Sequence, residues 1–151
     1  VFERNVILPF EGVNMWDDVG LCTRVRFYTR GTAVINKGFY HYNRQNEQST
    51  TRRPLLERAR EQELCISCIE DFFRKEDSHD KYRLFLSYLR LVAAEDLFYY
   101  EPDIWRQKFE GLKDDLWKLR KLYTTKQLFK FYTLGCGGII GKLVWKRFWK
   151  R

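Results

Sequence analysis

The sequence predicts a mainly α-helical protein: an irregular or partly extended N-terminal segment, a three-helix central region and a basic, glycine-containing C-terminal helix. Three observations carry this. Apolar residues between positions 54 and 123 recur every three or four residues, the period of a helix with one face turned inward. Pro54 and Pro102 stand where helices start, a position at which the missing N–H costs nothing. Charge is divided sharply along the chain. The protein has 28 Lys and Arg against 20 Asp and Glu, for a net charge of +8. No acid follows Asp115, while ten cations do, so residues 1–115 carry a balance of −2.

The N-terminal extension, residues 1–53, shows no helical period. Residues 22–29, CTRVRFYT, alternate polar and apolar; Arg30-Gly31 reads as a turn, and TAVINKGFYHY offers a return strand, so the pattern admits a short hairpin. The polar run NRQNEQSTTRR, residues 43–53, reads as a linker.

The helical core spans residues 54–123. Its first helix starts after Thr51 with Pro54 near the first turn, and its stripe is Leu55, Ala59, Gln62, Ile66, Ile69 and Phe73, with Gln62 the polar exception. KEDSHD breaks it. A second helix opens at about Ser78 and carries Tyr82, Phe85, Leu89 and Val92, broadened by Leu84, Leu86, Tyr88 and Leu91. So wide an apolar face implies contacts on more than one side. Glu101-Pro102 ends it and Pro102 opens the third helix. There Trp105, Phe109, Leu112, Leu116, Leu119 and Tyr123 step by four and three, a heptad-like seam suited to a partner helix. This helix is expected to run on into the C-terminal one.

Residues 124–151 form the basic aromatic part, expected to be membrane-associated or a short transmembrane helix. LGCGGIIGK at 134–142 brings a P-loop to mind, but Cys136 stands where the first glycine belongs and Leu143 where a hydroxyl should hold magnesium. No space remains for the βαβ unit that positions a nucleotide. The alternative is Gly137-x-x-x-Gly141, which on a helix leaves one face open to a neighbouring backbone. The uncharged run 131–141 is about 16 Å long as a helix, against about 30 Å of hydrocarbon. It spans only if Lys130 and Lys142 reach outward. Phe131, Lys142, Trp145, Lys146, Arg147 and Trp149 are therefore the expected lipid contacts, with Trp and Lys/Arg together forming an interfacial anchor. The tail reads as membrane-associated, with burial among protein partners as the second reading; its acidic partner is anionic lipid such as cardiolipin or, less favoured, nucleic acid.

No catalytic constellation stands out. Cys65-x-x-Cys68 falls in mid-helix, away from the helix N-terminus a redox CxxC needs, and Cys22, Cys136, His41 and His79 complete no zinc spacing. The two thiols read as inward-facing packing groups, with a structural disulfide or a metal as the other readings. Paired carboxylates at 17–18, 70–71, 76–77, 95–96 and 114–115 are scattered along the chain and read as solvated or salt-bridged surface. Ser-, zinc- and dinucleotide-binding signatures are missing. A non-enzymatic chain without cofactor or metal is the expectation.

Aromatic content of 17%, with five Trp, nine Tyr and twelve Phe, exceeds what one small core comfortably buries and suggests contact surface for other subunits. A first residue other than Met, sparse cysteines and a basic amphipathic anchor fit a mitochondrial protein that has lost a transit peptide. KYRLFLSYLR, residues 81–90, resembles the LYR signature of small helical mitochondrial assembly and complex I proteins. Tyr82-Arg83 and Leu89-Arg90 match, while Lys81 stands in place of the leading Leu. In composition the chain also resembles accessory subunits that clad respiratory complexes and ATP synthases. The expected function is thus a non-catalytic accessory subunit of a mitochondrial inner-membrane complex, a respiratory complex or ATP synthase, aiding its assembly and stability. The alternative is a mitochondrial ribosomal protein whose basic tail binds rRNA. An enzyme using Cys65 and Cys68 is a third reading.

Overall fold

The computed structural model describes residues 7–38, 54–100, 102–136 and 143. Among them the protein is mainly helical, with five α-helices and no strand: α1 Asp17–Tyr28, α2 Leu55–Lys75, α3 His79–Tyr100, α4 Pro102–Lys118 and α5 Thr125–Cys136, with a 3₁₀ turn Arg120–Leu122 between the last two. The chain forms two compact units, Val1–Ile69 and Glu70–Arg151.

In the first unit, residues 7–16 make an irregular approach to α1. The Val13 amide donates to Phe10 O at 3.3 Å, closing a turn that places Gly12 at φ 75°, a conformation glycine adopts without strain. Trp16, at φ 62°, then redirects the chain into α1. Asp17 and Asp18 occupy the first turn, where carboxylates complement the helix dipole, and Asp18 Oδ1 accepts from the Val19 amide at 2.8 Å. Residues 22–28 are therefore helical, contrary to the strand that their alternation suggests. Strand preference is a weak local bias, and here two helix-start acids and a close-packed glycine outweigh it. At Gly20, a Cβ would lie 2.8 Å from the Phe10 ring and 3.4 Å from Cys65 Sγ. Arg24 lies over Phe10, 3.9 Å from its centroid, and donates to the Leu8 carbonyl. The proposed return strand is also absent from residues 32–38, where Val34 is 95% exposed. Residues 39–53 lie outside the described part.

Helix α2 begins directly after Pro54, whose carbonyl accepts from the Arg58 amide at 3.1 Å. Ala59, Gln62, Ile66, Ile69 and Phe73 are all buried along its inward stripe, joined by Cys65. The side chain of Leu55 lies outside the described part. In the first unit, Ile7, Val13 and Met15 supply further buried apolar groups.

The second unit starts with the end of α2. Ser78 N donates to Phe73 O (2.8 Å) and Asp77 N to Arg74 O (3.1 Å), with Asp77 at φ 49°. This is a Schellman closure in which an aspartate takes the position glycine usually fills. The chain turns at once into α3. Phe73 stacks on Tyr82, with centroids 4.3 Å apart and planes 5° from parallel, and Phe85 meets Phe73 edge-on at 6.5 Å. Helix α3 packs on α4, and α4 on α5. Leu86, Leu89, Leu91, Ala93 and Ala94 of α3 are buried, as are Leu112, Leu116 and Leu119 of α4. Leu84 and Val92, assigned to the apolar face from sequence, are exposed.

Helix α4 does not run on into the C-terminal helix. It ends at Lys118, and the 3₁₀ turn leads to Thr124, which starts α5 anew with a capping box. The Gln127 amide donates to Thr124 Oγ1 (3.3 Å) while the Thr124 amide donates to Gln127 Oε1 (2.9 Å). The break places Tyr123 between two rings, Tyr88 at 6.0 Å and Phe131 at 5.3 Å.

Candidate functional site

Phe131, expected at a lipid contact, is 2% exposed and packs edge-on against Tyr123. Lys130, expected to reach outward, is also buried. The 3₁₀ break rotates α5 so that this pair faces its own unit and Phe129, 58% exposed, faces out. Gly137, Gly141, Lys142, Trp145, Lys146, Arg147 and Trp149 lie outside the described residues. Of the seam, Leu112, Leu116 and Leu119 are buried, while the side chains of Trp105 and Phe109 lie outside the described part. Among the described residues, no helix is long and apolar enough to cross a membrane.

The α4–α5 corner combines large exposed apolar groups with positive charge. Trp117 is 60% and Leu122 67% exposed, and both lie near Phe129 in sequence. Helix α4 turns Leu112, Asp115, Leu116 and Leu119 inward, leaving Trp117 outside. The Arg120 guanidinium sits 4.7 Å from the Trp117 ring centroid and donates to Trp117 O at 2.8 Å, holding cation and indole together. Lys121 and Lys126, which follow in the chain, are exposed. The apolar–cationic surface expected from sequence at residues 142–149 lies almost wholly outside the described residues, and this corner is a separate one. The signal for this corner was Trp117 standing off the Leu112–Leu116–Leu119 stripe.

Two acids expected at the surface are instead one buried and one half-buried, each in a charge cluster. Asp115, 2% exposed, lies under the α3–α4 contact. Its Oδ2 accepts from Ser87 Oγ (2.7 Å) and Arg83 Nη1 (3.0 Å). Its Oδ1 lies 2.8 Å from Arg83 Nη2 and 3.8 Å from Lys118 Nζ, a contact of charge without hydrogen-bond alignment. The clue was positional: residue 115 falls on the stripe that holds 112, 116 and 119. Glu70, with a side chain 14% exposed, accepts from Arg74 (2.7 Å), from Arg90, and lies 3.2 Å from His79 Nε2. It ties α2, α3 and the turn between them. Both clusters fix helix positions, Glu70 through its three contacts and Asp115 through Oδ2, while Asp115 Oδ1 keeps charge contacts alone.

Cys65 is buried, and its thiol donates to Trp16 O at 3.1 Å. Burial, then the neighbouring Cys68, push it up to about 11, so at neutral pH it is a neutral packing group and a poor nucleophile. Burial likewise lowers Arg24 from its ordinary value. Cys22, Cys65 and Cys68 are free thiols, and the described residues contain no cluster of three or more metal-ligating side chains. No protein family, curated protein or solved structure matches this chain.

Proposed function

We propose that this protein is a non-catalytic helical subunit of a membrane-bound assembly, with the mitochondrial inner membrane as its location and a respiratory complex or ATP synthase as the class of assembly. Its helices serve as a scaffold docked on other subunits, and its acid-free basic end meets anionic lipid. The observation that supports this best is the α4–α5 corner. There Trp117, Leu122 and Phe129 remain largely exposed among cations, in a stretch without a single acid after Asp115. Exposing large apolar groups to water is unfavourable, and their grouping with Lys and Arg suits a boundary between an apolar phase and anionic headgroups.

The test is carbonate extraction of mitochondrial membranes carrying either the full chain or one ending at Cys136, the last described residue of α5. Retention of the full chain in a defined assembly, with partial release of the shortened one, is the expected result. Extraction of both, with salt-sensitive co-sedimentation on ribosomes, would replace this reading with that of an rRNA-binding ribosomal protein.

A further inference from the structure

We infer that the α4–α5 corner is itself a lipid-contacting surface, which lays the second unit on an anionic bilayer through Trp117, Leu122 and Phe129, with Arg120, Lys121 and Lys126 meeting the headgroup phosphates. This rests on the membrane reading above and adds a contact independent of residues 137–151. The composition of the surface is that of an interfacial element: aromatic and aliphatic groups for the acyl boundary, cations for the phosphates. Its arrangement follows from the fold. The buried faces of α4 and α5 hold Leu112, Leu116, Leu119, Lys130 and Phe131, and Trp117 and Phe129 are left exposed. Lys126 and Phe129, one helical turn apart on α5, lie on neighbouring positions of one helix side. Arg120 already touches the Trp117 ring.

Charge complementarity selects the occupant. Asp115, the last acid in the chain, is buried and engaged by Arg83 and Lys118, leaving its charge compensated. Elsewhere, Leu64 is also exposed but stands beside Glu61 and Glu63, which would repel an anionic surface. RNA would accept the cations and stack on Trp117 and Phe129. It gains nothing from Leu122, which has no π-face and is the most exposed of the three.

The test uses the full chain and flotation with phosphatidylcholine vesicles, with and without cardiolipin. Three variants are compared with the unsubstituted protein: the corner triple W117S/L122S/F129S, the charge triple R120Q/K121Q/K126Q, and a tail triple W145S/F148S/W149S. Far-UV circular dichroism and the urea midpoint check that each retains its fold. The corner triple is expected to weaken binding to cardiolipin vesicles by at least ~10-fold, since binding scales with inserted apolar area. The charge triple should lose about fivefold per cation removed, with the effect shrinking as salt rises. The tail triple should keep a cardiolipin-dependent share of binding. If the corner and charge triples bind like the unsubstituted chain while the tail triple loses binding, the inference fails and the membrane reading stands. If the unsubstituted chain floats with neither vesicle and instead binds an rRNA fragment, both fail.

Discussion

Replacing Asp115 by alanine removes the polar centre of the α3–α4 contact, and the geometry fixes what that should cost. The carboxylate is 2% exposed and meets Ser87 Oγ at 2.7 Å and Arg83 at 2.8 and 3.0 Å. Removing one member of a buried ion pair typically costs about 3–5 kcal/mol. Arg83 is 49% exposed and regains water, so its share of the penalty is small. Ser87, 2% exposed, does not; an orphaned buried hydroxyl costs about 1–3 kcal/mol. The two considerations place Asp115→Ala at roughly 3 kcal/mol. Asp115→Asn retains an acceptor for Ser87 but loses the charge, and should cost about 1–2 kcal/mol. Urea unfolding followed by circular dichroism measures both, and a double-mutant cycle with Arg83→Ala isolates the pair, with an expected coupling of about 1–3 kcal/mol. A cost below about 1 kcal/mol for Asp115→Ala, or additivity within about 0.5 kcal/mol in the cycle, would refute this account of the contact.

Three further outcomes follow from particular contacts. The Cys65 thiol rises from its ordinary value of 9.0 to about 11 in the fold. The unfolded chain therefore loses this proton first as pH rises. The stabilisation is complete below pH 9 and is lost as pH climbs towards 11, by on the order of 2 kcal/mol; the difference in urea midpoint between the natural chain and Cys65→Ala should narrow across that window. Gly20→Ala sets a methyl 2.8 Å from the Phe10 ring. Despite alanine's helix preference of about 1 kcal/mol, a net loss of about 1–2 kcal/mol is expected in thermal unfolding. Asp77→Gly relieves a left-handed aspartate at the end of α2 and should stabilise by about 0.5–1 kcal/mol; a loss of stability instead would show that the Asp77 side chain contributes more than its backbone strain costs.

Local chain physics accounts for the helices of the central region and for part of their core: Ala59, Gln62, Ile66, Ile69 and Phe73 are buried as their period predicts, while Leu84 and Val92 are exposed. Pro54 and Pro102 mark helix starts because proline's effect is local to the backbone that follows it. The stripe Ala59–Gln62–Ile66–Ile69–Phe73 is readable because a helix with one buried face repeats every 3.6 residues whatever it packs against. Thr124-x-x-Gln127 is equally local: the capping box that separates α4 from α5 is legible in the sequence, beside the heptad that continues to Tyr123. Packing between distant residues sets what no local pattern records. Residues 22–28 became helical through Gly20 packing on Phe10 and Cys65, forty-five residues away from that cysteine in the chain. Asp115 is buried and Glu70 half-buried because Arg83, Ser87 and Arg90 arrive from another helix; a sequence shows two adjacent acids but not the cation that meets one of them. Phe131 faces inward and Phe129 outward because the break at residues 119–124 sets the rotation of α5. The exposed α4–α5 corner thus depends on an angle between helices, and such an angle is set by packing, with no period in the sequence to record it.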